Sequence, residues 1–227
     1  MEDAPLRILI TAGPTHEPID AVRYLANRSS GRMGEALADA AAESGAAVTL
    51  LLGPSTREPS DRWREVAMRF ESSGDLQALL ARESPKHDLL LMAAAVADHR
   101  PSFVASGKLR REAGDRTLQL VPTPDLLAQV AEGRRPGQFL VGFALETPDE
   151  LDRSARDKLA RKRVDAIVAN ELATMDSPTV RGRIYLAEGG MLAPEETDPI
   201  PKPVFARWLM ATLLPLAERR RAEAAVR

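Results

Sequence analysis

Residues 89–97 read Leu-Leu-Leu-Met-Ala-Ala-Ala-Val-Ala, an unbroken apolar run. A strand turns alternate side chains to opposite faces, so a run apolar at every position must be covered on both sides. The run is far too short to cross a bilayer, which takes about 20 residues. Leu89 to Ala97 therefore reads as a strand in the middle of a parallel sheet, and the sheet must carry helices above and below. The flanking sequence alternates accordingly. Strands fit Arg7 to Ile10, Val48 to Leu52, Val66 to Phe70, Thr117 to Val121, Phe139 to Leu145 and Ala166 to Ala169. Helices fit Gly31 to Ser44, Leu76 to Arg82, Asp125 to Glu132 and Asp149 to Arg163. The first helix carries Met33, Leu37, Ala40, Ala41 and Ser44 on one face, with Gly45 as its stop. Toward the C-terminus, Arg183 to Leu186 and Gly189 to Leu192 suggest a hairpin. Val204 to Ala222 then reads as a closing helix with Val204, Trp208, Leu209 and Leu213 inward. The order predicts one α/β domain over residues 1–227: a three-layer sandwich around a Rossmann-like, mostly parallel sheet, with a C-terminal hairpin and closing helix. Residues Ser102 to Gly114 and Asp176 to Gly182 read as mobile loops.

The segment Asn27-Arg28-Ser29-Ser30-Gly31-Arg32-Met33-Gly34 opens the first helix after a long polar loop. A helix N-terminus offers unpaired N–H groups and a positive dipole end, and glycine lets an anion reach the backbone. A serine N-cap beside a turn glycine is the plainer reading of the same residues. In an α/β sheet, ligands lie beyond the carboxyl ends of the strands. That rule gathers Gly13 and the loop to Gly34, Ala94 to Asp98, Phe143 to Glu146 and Asn170 at one edge. A dinucleotide fold is argued against, since there is no G-x-G-x-x-G, the gap from Gly13 to Gly31 is long, and Gly53-Pro54-Ser55-Thr56 places no acid for a ribose. No P-loop motif occurs. Without cysteine there is no disulfide, thiolate metal site or cysteine nucleophile. A formal net charge of −2 gives no footprint for nucleic acid or an anionic membrane. The opening Met-Glu-Asp-Ala-Pro lacks a leader pattern, so the expectation is a cytoplasmic protein.

Seven segments carry a resemblance. They are Thr11-Ala12-Gly13-Pro14-Thr15, Asn27 to Gly34, Ala93-Ala94-Ala95-Val96-Ala97-Asp98, Lys108-Leu109-Arg110-Arg111, Pro124-Asp125, Val141 to Thr147 and Asp165 to Asn170. In this order, over essentially the whole length, they resemble the phosphopantothenoylcysteine synthetases (phosphopantothenate–cysteine ligases). The resemblance implies a step of coenzyme A biosynthesis. The carboxylate of 4′-phosphopantothenate attacks the α-phosphate of CTP, giving an acyl-cytidylate and pyrophosphate, and the amine of cysteine then displaces CMP. It further implies a homodimer and Mg2+ arriving with CTP. The scattered His16, His87 and His99 make no metal box.

The resemblance assigns Lys108 to the phosphates during acyl-nucleotide formation and Asn27 to the acyl group and the incoming amine. Nucleotide contacts fall to Ala94, Ala95, Asp98, Pro124 and Phe143. Lys158 and Lys162, one helical turn apart, are assigned to the triphosphate. Gly13, Ser29, Gly31, Gly34 and Asn170 would line the phosphopantothenate and phosphate side. Each has a plain counterpart: a surface lysine, a turn asparagine, a capping aspartate, a core phenylalanine, a solvated helix face. Five positions depart from the family pattern: Leu109, Arg110 and Arg111, which give Lys-Leu-Arg-Arg for Lys-Ile-Lys-Lys, His99 for a tyrosine and Thr123 for an asparagine. Arg does not simply replace Lys at a phosphate, so an ATP-using form stays open. A noncatalytic nucleotide-binding module is the alternative from another class. Family members are often fused to a flavin-dependent decarboxylase that uses a cysteine, so the chain reads as either a monofunctional synthetase or a synthetase domain.

Overall fold

Alternate residues of the sheet strands feed two separate cores. Ile8, Ile10, Leu50, Leu52, Leu89, Leu91, Val141 and Val168 pack into one, while Leu9, Leu51, Leu90, Leu140 and Ile167 pack into the other. This is the two-sided burial that the apolar strand demands. The computed structural model describes residues 4–55, 57–111 and 115–226. Its strands are β1 (Arg7–Ala12), β2 (His16–Pro18), β3 (Tyr24–Ala26), β4 (Ala47–Leu52), β5 (Met68–Arg69), β6 (Leu89–Met92), β7 (His99–Pro101), β8 (Leu120–Pro122), β9 (Phe139–Glu146), β10 (Ala166–Glu171), β11 (Thr179–Val180), β12 (Gly182–Leu186), β13 (Met191–Leu192) and β14 (Ile200–Pro201). Its α-helices are α1 (Arg32–Glu43), α2 (Asp61–Arg64), α3 (Ser73–Glu83), α4 (Leu126–Glu132), α5 (Leu151–Lys162) and α6 (Lys202–Ala225).

The main sheet has the order β13-β12-β10-β9-β6-β1-β4-β5. From β5 to β10 every pairing is parallel, and β12 and β13 close that side antiparallel as the expected hairpin. Taken in chain order, the six parallel strands follow the doubly wound arrangement 3-2-1-4-5-6, which reverses direction between β1 and β6. Helices α1 and α6 cover one face and α3, α4 and α5 the other, giving the three-layer sandwich. Among the described residues no helix is long and apolar enough to cross a membrane.

Several expected boundaries move. The apolar run stops being a strand at Met92, because the Ala95 amide turns back to donate to the Gly13 carbonyl at 2.9 Å and Thr15 N–H donates to Ala95 O at 3.2 Å. Residues 93–98 thus form a loop bridged to the end of β1. Val66 to Phe70 shrinks to the edge pair β5. The strand expected at Thr117 to Val121 is instead β8, paired with β7 in a two-stranded ribbon outside the main sheet. The long polar loop after Gly13 contains the β2–β3 hairpin, and Asp176 to Gly182 contains β11, paired with β14. Of the loop Ser102 to Gly114, residues 112–114 lie outside the described residues. Two side chains expected inward point outward. Ser44 caps α1, its hydroxyl donating to Ala40 O at 2.9 Å, and Val204 is 38% exposed because the inward stripe of α6 runs through Phe205, Ala206, Leu209, Met210 and Leu213.

Candidate active site at the carboxyl edge

The site grows from the loops that leave β1 and β6, the two strands on either side of the topological reversal. Thr11 Oγ1 accepts from Ala94 N–H at 3.0 Å, and Thr15 Oγ1 accepts from Ala97 N–H at 3.0 Å. Together with the backbone bonds between Gly13, Thr15 and Ala95, these hydroxyls lock the two loops into one rigid rim. Asn27 lies on it. Its Nδ2 donates to the carbonyls of Ala95 (3.2 Å) and Val96 (3.3 Å). With both donors taken up, the acceptor Oδ1 is what this exposed side chain offers to a ligand.

The glycines of the first loop serve different ends. Gly31 is the N-cap of α1 in the left-handed region (φ 74°), a conformation that a side chain disfavours, and α1 has no side-chain cap to occupy its first amides. Gly13 (φ 84°) lies against Gly31 and Gly53, so the loop backbones meet without side chains between them. Gly34 faces the sheet: a Cβ there would lie 2.3 Å from Ala12 Cβ, which makes it a contact between α1 and β1. Ser29 Oγ accepts from Gly31 N–H at 3.4 Å. The rest of the loop mouth is braced by Glu35, a buried carboxylate paired with Arg57 and accepting from Ser60 N–H at 3.3 Å.

Lys108 is exposed, and its ammonium has no partner among the described residues. Its neighbour is held firmly. Leu109 N–H donates to Asp20 Oδ2 at 3.0 Å, and Leu109 O accepts from Arg23 Nη2 at 2.8 Å. Asp20 is the hub of the β2–β3 turn. Its Oδ1 accepts from Val22 and Arg23 N–H, both at 2.8 Å, and its Oδ2 pairs with the Arg23 guanidinium. The Arg23 hydrogen bond, reinforced by these amides, holds the carboxyl far below the usual carboxylate range.

The residues expected to contact a nucleotide lie on the far flank of β6. Strand β9 pairs with β6 only as far as Gly142 opposite Met92, so Phe143 to Glu146 overhang the edge. Phe143 is half-buried within β9 and packs on the α1/α6 core, and Asn170 lies within β10 opposite Leu145. Asp98 is exposed beyond β6. Its carbonyl accepts from Thr123 N–H at 2.8 Å, which brings Thr123 and Pro124 beside it. The Thr123 hydroxyl oxygen is buried without a hydrogen-bond partner. Lys158 and Lys162 share a face of α5, but each already holds a carboxylate: Lys158 Nζ lies 2.7 Å from Glu146 Oε1 and Lys162 Nζ 3.0 Å from Asp125 Oδ1. Burial pushes the Glu146 carboxyl up, yet the bonds from Lys158 and Ser154 outweigh it and leave its pKa lowered. Asp125, N-cap of α4, follows the same pattern: burial raises its pKa, while Ala128 N–H and Lys162 lower it further. Among the described residues no group of three or more His, Asp or Glu could hold a metal ion.

Sequence reasoning missed Asp20 and Arg23, and it named Thr11, Thr15 and Glu146 within longer segments without giving their side chains a role. The only local signal was Asp-x-x-Arg at 20–23, the pattern of an aspartate that closes its own turn.

Residues 4–214 match the family described as the DNA/pantothenate metabolism flavoprotein C-terminal domain. The chain belongs to that family. Among curated relatives, a cysteine/cysteine sulfinic acid decarboxylase from an unknown prokaryotic organism is 46% identical over 166 residues, covering 73% of this chain and 46% of the relative. The coenzyme A biosynthesis bifunctional protein CoaBC of Vibrio cholerae is 42% identical over 169 residues, 74% of this chain and 42% of that protein. This family member thus spans less than half the length of the curated relatives it matches. A crystal structure of the C-terminal domain of CoaBC superposes with a TM-score of 0.78 at 32% identity, covering 94% of this chain and 96% of that domain. Cab2 in complex with phosphopantothenate-cysteine gives 0.80 at 18% identity over 97% of this chain and 89% of that one, which establishes a shared fold.

Proposed function

We propose that this chain is a phosphopantothenate–cysteine ligase that works through an acyl-cytidylate. The observation that carries the reading is the hydrogen-bonded rim at the β1/β6 reversal, where Asn27 clasps the Ala95–Val96 backbone beside an uncapped helix N-terminus. The names of the CoaBC relatives, and of the Cab2 complex that shares the fold, support the choice of substrates.

In the first half-reaction the pantothenoyl carboxylate oxygen forms a bond to the α-phosphorus and the bond to the β-phosphate oxygen breaks, releasing pyrophosphate. In the second, cysteine's nitrogen bonds to the acyl carbon and the acyl C–O bond breaks, releasing CMP as the amine gives up a proton. Two anions must meet in the first step, so cationic and N–H donors placed in advance lower its barrier. Gly13, Ser29, Gly31 and Asn170 line the side assigned to phosphopantothenate, Gly34 holding α1 close behind them. Ala94, Ala95, Asp98, Pro124 and Phe143 line the nucleotide side. Lys108 meets the phosphates, and Asn27 Oδ1 accepts an N–H of the attacking amine. Lys158 and Lys162 exchange Glu146 and Asp125 for the triphosphate when it binds. The Mg2+ that accompanies CTP would neutralise phosphate charge as the two anions meet.

The reading includes a homodimer. The β7–β8 ribbon and the β2–β3 turn leave Phe103 (75%), Val104, Leu118, Leu120, Val22 and Tyr24 exposed, an apolar surface that a second copy would cover. Light scattering at micromolar concentration is expected to give twice the chain mass; the mass of one chain would overturn the dimer. The ligase reading itself is tested by pyrophosphate release with CTP, 4′-phosphopantothenate and cysteine, with ATP run in parallel.

A further inference from the structure

Two parts of the proposed site come from segments far apart in the chain. Asn27 follows directly on β3, and Lys108 stands on a loop 81 residues later in the sequence. What joins them is one carboxylate. The Asp20 side chain is wholly inaccessible to solvent, and among the described residues its hydrogen bonds go either to its own turn or to Leu109. Arg23 completes the clamp: the same guanidinium that pairs with Asp20 also donates to Leu109 O at 2.8 Å. Leu109 is therefore held by both its N–H and its C=O. A second tether, Ala105 N–H to Ile19 O at 3.1 Å, fixes the loop on the other side of Lys108. The three-residue strand β3 then links Arg23 to Asn27.

We propose that Asp20 is a positioning residue for the ligase reaction: through the Leu109 peptide it holds Lys108 in register with Asn27. The assignment rests on the ligase reading. A long, exposed lysine on an untethered loop would reach the phosphates only in a small share of its conformations, and misplacement by about 1 Å can cost on the order of 10²-fold. Fixing the adjacent peptide restricts the Lys108 Cα and leaves the side chain to close on the substrate. The Asp20 carboxylate is inaccessible while Arg23 is half-exposed, so loss of the guanidinium would strand a buried charge.

The test is a double-mutant cycle with Asp20→Asn and Lys108→Ala. Asparagine keeps Oδ1 for the Val22 and Arg23 amides, so the turn survives, but it sets an N–H donor against Leu109 N–H and the guanidinium. Asp20→Asn is expected to lower kcat for pyrophosphate release by about 10- to 100-fold, with KM for cysteine unchanged and amide exchange at Leu109 accelerated. In the Lys108→Ala background the same change is expected to cost less than about 3-fold. Arg23→Lys, which keeps the charge but loses the fork, should behave likewise. Losses that multiply independently of Lys108, or a Leu109 amide that stays protected in Asp20→Asn, would overturn the assignment. Wild-type protein that makes no ligase product would overturn the ligase reading by itself, and the Leu109 exchange would still judge the clamp.

Discussion

Asn27 and Lys108 serve different halves of the proposed reaction, and their environments differ to match. Lys108 is an exposed cation with no partner among the described residues, so Lys108→Ala removes charge without disturbing the core. Its expected effect is a loss of about 10²- to 10³-fold in acyl-nucleotide formation, the scale of a lost electrostatic stabiliser. Asn27 is woven into the rim by two donated hydrogen bonds. Asn27→Asp sets a carboxylate against the Ala95 and Val96 carbonyls and brings negative charge to the carbon where an oxyanion forms. The variant is expected to form the acyl-cytidylate and then discharge it slowly, which mass spectrometry of quenched single turnovers detects directly. Equal losses in both half-reactions would assign Asn27 to loop shape alone. At this scale the sequence pointed to Asn27 and Lys108 by motif, but not to Asp20. Its decisive partner lies 89 residues away, and no periodicity or spacing reports a contact of that kind.

Among the elements, the seam between α1 and β1 sets the position of the helix N-terminus at the site. Gly34 permits that seam: an added Cβ would meet Ala12 Cβ at 2.3 Å, Ala12 Cα at 2.9 Å and Thr11 O at 3.0 Å, and two of these are backbone atoms that cannot rotate away. Alanine gains roughly 1 kcal/mol of helix propensity over glycine, while overpacking costs about 1–3 kcal/mol. Gly34→Ala should therefore lower the urea midpoint and weaken phosphopantothenate binding together, because α1 must lift off the sheet. An unchanged midpoint would contradict this account of the seam. The strands and helices around it were legible because burial on one or two faces writes a period into the sequence. The β2–β3 hairpin and the β7–β8 ribbon were not, since they are short, largely exposed and held by side chains from elsewhere. The end of β6 was misplaced for a related reason. Alanines 93–95 are as apolar as the strand before them, and it is the bonds to Thr11, Gly13, Thr15 and Asn27 that turn the chain there.

For the molecule as a whole, the doubly wound sheet brings the loops after β1 and β6 and the β9 overhang to one edge, with Lys158 and Lys162 on the neighbouring helix α5. The departures at Thr123 and His99 fall on the nucleotide flank, where the buried, unpartnered Thr123 hydroxyl adjoins the Asp98 loop. On the ligase reading they bear on the choice of base, and the hydrogen-bonded rim of Thr11, Thr15, Asn27 and Ala95 is unaltered. The central claim is that this edge joins a carboxylate to an amine at the expense of a nucleoside triphosphate. Its most direct test is to incubate the purified chain with 4′-phosphopantothenate, cysteine and Mg2+, with CTP in one series and ATP in another, and to follow pyrophosphate and the amide product by mass spectrometry. One pyrophosphate and one CMP per phosphopantothenoylcysteine formed are expected, with CTP preferred. Nucleotide binding without pyrophosphate release in either series, in folded protein, would contradict that claim and identify a noncatalytic nucleotide-binding module.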